Sequence, residues 1–493
     1  MAKTCAELFR GLPCTIIGNP EEEVTGLAYN SSAVRPGDIF FCIVGTKVDG
    51  HSFAQDAINR GSKVLVVERK VYLADATDVT EVIVSDSRKA MARIASRFHD
   101  QPSEAFNLVG ITGTNGKTTT TYLVEHIANL AGLKTGVIGT VGVRIGSEQR
   151  KTAHTTPESV DLQALFGEMR DEGCGMVAME VSSHALDLER TWGSKFAVTA
   201  FSNLTQDHLD YHRTFEAYFE AKARLFSKDY PAKRVICIDD EWGRELLRRC
   251  SVRDEDIITC GFARSAQIHP VDVEYFTTHT KLLVEVRGNR YELDYPLVGR
   301  FNVSNVMLAL GIGIQLGISA QVVVDALDDA PPIPGRLQRV AVENDGGVSV
   351  FVDYAHTPDA LEKALGAVKA LTPGRTFVVF GCGGDRDSGK RPIMGQAALA
   401  ADFAVVTSDN PRTEDPLAII EDILGGMTNA DKSRYAVEPD RRAAIAKAIS
   451  LAEAGDSILV AGKGHEDYQL VGKEVLSFDD VKVAAEELQK ANA

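Results

Sequence analysis

The sequence predicts an α/β protein of three domains, the central one a doubly wound, mostly parallel sheet that carries a phosphate-binding loop. Three observations carry this prediction. Apolar strand-like runs and helical patterns alternate through most of the chain. A glycine loop opens a helix directly after the apolar run Leu108-Val109-Gly110-Ile111. A proline cluster near residue 331 then interrupts the alternation. The 493 residues leave room for about three cores at ~150 residues each.

The first hundred residues contain short strand candidates at 38–44, 63–67 and 81–84 with helical patterns between them, which predicts a small α/β domain over 1–104. The polar stretch Phe98-His99-Asp100-Gln101-Pro102-Ser103 reads as the linker out of it. The central domain is expected over 105–332. Asp329-Ala330-Pro331-Pro332-Ile333-Pro334-Gly335 closes it, because three prolines remove backbone donors and fix φ. Beyond lies a Rossmann-like pattern over 333–493, with strands near 376–380, 403–407 and 457–460. No internal repeat is visible.

Composition narrows the class. Apolar residues make up 44% and charged residues 25%, an ordinary globular balance. A net charge of −16 argues against a nucleic-acid or anionic-membrane surface. The eight cysteines are scattered without zinc or redox spacing, so free thiols in a reducing compartment are expected. Met1-Ala2-Lys3-Thr4 opens no apolar leader, and no run of about 18 apolar residues could span a membrane. A cytoplasmic, monomeric enzyme is the expectation.

Chemistry concentrates at strand ends, where open α/β sheets bind ligands. In the loop Gly110-Ile111-Thr112-Gly113-Thr114-Asn115-Gly116-Lys117-Thr118-Thr119, backbone N–H groups would cradle phosphates. Lys117 supplies positive charge and the Thr118 hydroxyl suits Mg²⁺. The general spacing asks for glycine where Ile111 stands. ATP or a similar nucleotide is the expected ligand. Glu180 and the Asp207-His208 pair are candidate metal ligands, the alternatives being an exposed strand-end carboxylate and an ordinary loop histidine. Lys222 reads from periodicity as a solvated helix lysine. Asn302 could cap a helix or, with Asn305, bind the nucleotide. Arg336 follows the prolines at a possible hinge, and Asp353 and His356 follow another strand. In the last domain Arg386, Arg412 and Glu466 suggest a pocket for an amino acid, since guanidinium suits carboxylate and glutamate suits an amine.

These residues, in this order, resemble the Mur ligase family of ATP-dependent amide-bond synthetases across essentially the whole chain. The resemblance rests on Thr112-Gly113-Thr114-Asn115-Gly116-Lys117-Thr118, Glu180 with Ser182-Ser183-His184, Asn203 with Asp207-His208, Asn302 and Asn305, Pro334-Gly335-Arg336, and Asp353-Tyr354-Ala355-His356-Thr357-Pro358. The family's own loop variant accounts for Ile111. The resemblance implies ATP bound by Gly113–Thr119, Asn302, Asn305, Arg336, Asp353 and His356, with Mg²⁺ on Thr118, Glu180, His208 and Lys222 as a carbamate. It implies Lys117, Lys222, Glu180 and His208 as catalytic. Through His154-Thr155-Thr156-Pro157 and the segments after it, the resemblance implies UDP-N-acetylmuramoyl-L-Ala-D-Glu as one substrate, contacted by Ser31, Thr155, Thr156, Ser182 and Arg190. Asp409-Asn410-Pro411-Arg412 implies meso-diaminopimelate as the other, with Arg386, Gly462 and Glu466 completing its site. Two departures stand out: Asn30-Ser31-Ser32 where Asp-Ser-Arg is usual, and Leu188 where glutamine is common.

Other readings are an L-lysine-adding homologue, a folylpolyglutamate-type synthetase, a nucleotide-regulated binding protein and a small-molecule kinase. The polyglutamate enzyme needs neither the leading domain nor the Asp-Asn-Pro-Arg segment. A degenerate binder would have lost one of Lys117, Thr118, Glu180 or His208. A kinase would leave phosphate on its product.

Overall fold

The computed structural model describes residues 3–492 except 46–47, 72–77, 153, 251–255 and 344. They form two units. The first comprises residues through Thr112 with Ala131–Ala200 and Phe219–Arg234. It opens with a sheet in which Gly26–Ala28, Asp38–Phe41, Val64–Val67 and Thr80–Val84 run parallel, and Cys14–Ile17 pairs antiparallel at the edge. Parallel strands are covered on both faces, and Val64–Val67 is accordingly apolar and buried at every position. Helix Ser87–Phe98 packs Met91 and Ile94 into the core beside Leu8 and Phe9. The Asp86 carboxylate caps it by accepting from Lys89 N at 3.0 Å.

The same unit contains strand Asn107–Thr112, parallel to Met176–Glu180, which pairs in turn with Thr135–Gly139. Gly142–Ile145 and Glu148–Arg150 extend that edge antiparallel. Glu180 pairs with Ile111 in register, so the carboxyl ends of the two strands lie side by side.

The second unit comprises Gly113–Leu130, Phe201–Tyr218 and the residues from Val235 onward. Helix Lys117–Leu130 begins immediately after the glycine loop, as expected from the sequence. The six-stranded sheet runs Gln338–Arg339, Ser349–Asp353, Ser457–Ala461, Thr376–Phe380, Phe403–Val406, Tyr435–Val437, parallel except for the first strand. Helices Pro358–Leu371, Lys390–Ala398 and Pro416–Leu424 cover one face; Arg441–Leu451 and Asp480–Ala491 cover the other. That is a doubly wound layer. The expectation of a mostly parallel middle segment missed a meander of Ile268–Tyr275, Thr280–Val286 and Asn289–Tyr295. Its last hairpin turns on Arg287-Gly288, both at positive φ, the two-residue turn that matches strand twist. All eight cysteines are free thiols. Among the described residues no helix is long and apolar enough to cross a membrane.

Candidate active site

The glycine loop needs its glycines. Gly113 (φ +147°) and Gly116 (φ +86°) adopt backbone that side chains disfavour, and a Cβ would strike Ser202 Oγ at the first and Asn305 Oδ1 at the second. The segment after strand Val198–Phe201 clamps the loop. Thr114 N donates to Asn203 O at 2.8 Å, Asn115 N to Asn203 Oδ1 at 3.0 Å, and Ser202 Oγ to Asn115 O at 2.6 Å. Lys117 Nζ folds over the loop, donating to Gly113 O at 3.1 Å and Thr114 O at 2.9 Å. Thr118 and Thr119 are buried, and Arg336 Nη2 donates to Thr118 Oγ1 at 2.8 Å.

Asn302 does not cap its helix. Gly299 holds the N-cap position of Arg300–Gln315, while Asn302 Nδ2 donates back to Val298 O at 2.9 Å and Asn302 Oδ1 accepts from Asn305 Nδ2 at 3.0 Å. His208 stands in a left-handed conformation (φ +51°) before helix Leu209–His212, with its Nε2 3.3 Å from Asp207 Oδ2. His356 Nδ1 donates to Tyr354 O at 2.8 Å. Sequence reasoning passed over Asp359. Its Oδ2 accepts from Asn115 Nδ2 at 3.1 Å and Thr205 Oγ1 at 2.9 Å, fastening the glycine loop to helix Pro358–Leu371. The sequence signal was there: an acidic residue directly after a helix-opening proline, which the helix dipole favours.

The Asp353 carboxylate accepts from Leu337 N at 2.6 Å and Ala355 N at 2.8 Å. Burial pushes its carboxyl up to about 6, against the pull of Arg336 and these two donors. A folded state that keeps this proton gains stability below the unfolded value of 3.8 and loses it as pH rises through about 6. Asp353→Asn is therefore expected to flatten the fall in thermal midpoint across that window. A slope equal to the parent's would contradict the assignment.

In the first unit Glu180 is 1% exposed, so it is no solvated strand-end carboxylate. Thr140 holds both its oxygens, from N at 2.9 Å and from Oγ1 at 3.0 Å. Around it gather four of the five residues expected at the UDP-substrate. Thr155 Oγ1 lies 3.2 Å from Thr140 Oγ1, and Thr156 Oγ1 donates to Glu180 O at 2.9 Å. Ser182 N donates to Thr156 Oγ1 at 3.1 Å while its own Oγ caps helix Ser183–Asp187. Arg190 Nη1 donates to Thr156 O at 2.9 Å, and its Nη2 pairs with Glu158 at 2.8 Å. Ser31 lies apart from these four in sequence, on the turn Ser31–Ala33. There the unusual Asn30 caps the turn by accepting from Ser32 N at 3.1 Å and Ser32 Oγ at 3.0 Å. Leu188 merely ends helix Ser183–Asp187. Lys222, which periodicity assigned to solvent, is 1% exposed on Phe215–Ala223.

The last sheet brings three strand ends together. Arg412 Nη1 donates to Gly384 O at 2.7 Å, Gly384 N to Asn410 O at 2.9 Å, and Asn410 Nδ2 to Glu466 Oε2 at 2.8 Å. Pro411 and Gly462 are buried beside them. Asp409 is 7% exposed, whereas Arg386 is exposed. Arg412 holds φ +54° and Asp385 φ +53°, a conformation that costs a non-glycine residue about 1 kcal/mol or more. Thr413 Oγ1 donates to Asp385 Oδ1 at 2.7 Å and keeps the two loops in place. This edge thus carries the Arg412 guanidinium beside the loop of Asp409 and the Glu466 carboxylate, an arrangement suited to a ligand bearing both charges.

Comparison with known proteins agrees with this architecture. The Mur ligase family, catalytic domain, matches residues 23–99; the Mur ligase middle domain matches 111–313; and the Mur ligase, glutamate ligase domain, matches 335–464. A UDP-N-acetylmuramoyl-L-alanyl-D-glutamate–2,6-diaminopimelate ligase of Syntrophomonas wolfei is 42% identical over 488 residues, covering 98% of each chain. Its counterpart in Thermosynechococcus vestitus is 44% identical over 471 residues, covering 95% of this chain and 94% of its own. A solved structure of a ligase of the same description superposes with TM-score 0.73 at 33% identity, over the full length of both chains.

Proposed function

The chain belongs to the Mur ligase family, and from that premise we propose that it joins meso-diaminopimelate to the D-glutamate of UDP-N-acetylmuramoyl-L-Ala-D-Glu, cleaving ATP to ADP and phosphate, in cytoplasmic synthesis of a peptidoglycan precursor. The observation that carries the choice of amino acid is the Asp409–Arg412 loop: Asn410 bonds the half-buried Glu466 carboxylate while Gly384 O fixes the Arg412 guanidinium on the same loop. In this reading residues 1–104 hold the UDP end, 105–332 the nucleotide and 333–493 the amino acid.

The chemistry follows in two steps. A glutamate carboxylate oxygen attacks the γ-phosphorus of ATP, breaking the bond to ADP and giving an acyl phosphate. Lys117, already aimed along the loop, offsets negative charge on the phosphates. The diaminopimelate amine then attacks the acyl carbon; the tetrahedral adduct loses a proton and expels phosphate as the amide forms. Thr155, Thr156, Ser182 and Arg190 would orient the acceptor. Asn302, Asn305, Arg336, Asp353 and His356 would hold the nucleoside. The hard oxygen donors of Thr118 and Glu180 suit magnesium, and His208 with Lys222 as carbamate would complete its ligands. When bound, the ion neutralises phosphate charge.

Phosphate release that requires UDP-muramoyl dipeptide and diaminopimelate together tests the reading; equal rates with L-lysine would overturn the specificity. Arg412→Ala should raise KM for diaminopimelate by about 10- to 100-fold, the worth of a charge-assisted hydrogen bond. It should also bring diaminopimelate close to lysine in kcat/KM, which initial rates with the two amino acids will measure.

A further inference from the structure

Lys463 has no role in the reaction as described, yet its side chain is completely buried. Its Nζ lies 3.1 Å from Asn410 Oδ1, 3.5 Å from Glu466 Oε2 and 3.8 Å from Asp409 Oδ1, and 5.6 Å from the centre of the Tyr468 ring. A lysine withdrawn from water is tolerated only where charge and hydrogen bonds compensate it, so these three partners define its place. A second observation concerns the amide. Asn410 Oδ1 accepts from Lys463 Nζ and also from Leu470 N at 2.9 Å. With both lone pairs used, the amide cannot turn over, and Nδ2 must face Glu466.

We propose that Lys463 is a positioning residue for the amino-acid substrate: it locks Asn410 and holds Glu466 as an oriented, ionised acceptor for the substrate ammonium. The inference rests on the assignment of this edge to diaminopimelate. Glu466 is also faced by Asp409, Tyr354 and Arg441 from the neighbouring elements. Burial first and Asp409 second lift its carboxyl above the usual range, while Lys463 and Asn410 pull it down. Removing Lys463 lifts it further, so more of the pocket is protonated at a given pH.

The test is Lys463→Met beside Lys463→Gln, with KM for each substrate, the pH profile of kcat/KM for diaminopimelate, and the thermal midpoint. Lys463→Met should raise KM for diaminopimelate about 10-fold or more, as loss of a charged hydrogen bond does. KM for ATP and UDP-dipeptide should stay within about 2-fold, while the acid limb moves to higher pH. Lys463→Gln keeps a donor for Asn410 and should recover part of KM but not the acid limb. Equal rises in all three KM values, an unmoved acid limb, or failure of both variants to fold would overturn the proposal and leave Lys463 a structural counter-ion. A parent protein inactive with diaminopimelate would overturn the pocket assignment instead.

Discussion

Lys117→Met is expected to lower kcat for ADP formation by about 100- to 1,000-fold, the usual cost of one electrostatic contact to a charge that grows in the transition state. The size of the effect follows from preorganisation. Lys117 Nζ already rests on Gly113 O and Thr114 O, and the loop that carries those carbonyls is itself pinned through Asn203, Ser202 and Asp359. Little reorganisation remains when the phosphates arrive, so removing the charge removes nearly its full contribution. Methionine keeps the aliphatic stem and the helix propensity. ADP release at saturating substrates, measured beside the thermal midpoint, checks the expectation. A loss below 10-fold, or one matched by a collapse in stability, would contradict it.

Asp480→Asn should produce the largest stability loss of any single polar substitution considered, about 3–5 kcal/mol. Arg441 and Asp480 are both fully buried and bond through two parallel contacts, Nε to Oδ1 at 2.8 Å and Nη2 to Oδ2 at 2.7 Å. The guanidinium also donates to Ala461 O at 2.9 Å and Ser408 O at 3.4 Å. Asparagine leaves that cation buried without its counter-charge. The carbonyls matter as well, because Ser408 and Ala461 directly precede Asp409 and Gly462. Loss of grip should therefore raise KM for diaminopimelate along with the drop in stability. Denaturant unfolding measures the first effect and substrate titration the second. The control is the apolar pair Arg441→Met with Asp480→Leu, which should recover much of the stability because both charges are gone. A double variant no more stable than Asp480→Asn would show that buried charge is not the cause.

Legibility in the sequence followed the range of the interaction. Local signals were strong: the glycine loop, the helix opening at Lys117 and the strand Thr376–Phe380 all lie where the pattern of residues places them. The gathering of Thr155, Thr156, Ser182 and Arg190 around Glu180 was legible only through family resemblance, since nothing in a single chain links residue 156 to residue 182. Lys222 misled periodicity because Phe215–Ala223 has apolar residues around most of its circumference, and its polar positions carry little directional information. Asn302 read equally well as a cap, since side-chain capping and back-bonding use the same residue type. Arg441, Asp480 and Lys463 were invisible because burial of a charge is decided largely by partners far away in sequence, Asp480 for Arg441 and Asp409 and Asn410 for Lys463.

The left-handed backbone at Arg412 bears on how this chain can diverge. Every replacement there loses the guanidinium and most keep the conformational strain; β-branched residues add to it. Glycine, asparagine and aspartate tolerate the conformation best. With Arg412 selecting the amino acid as proposed, a lineage relaxing that choice would be channelled through very few intermediates at this position, and the narrowness of that evolutionary route would be set by one φ angle.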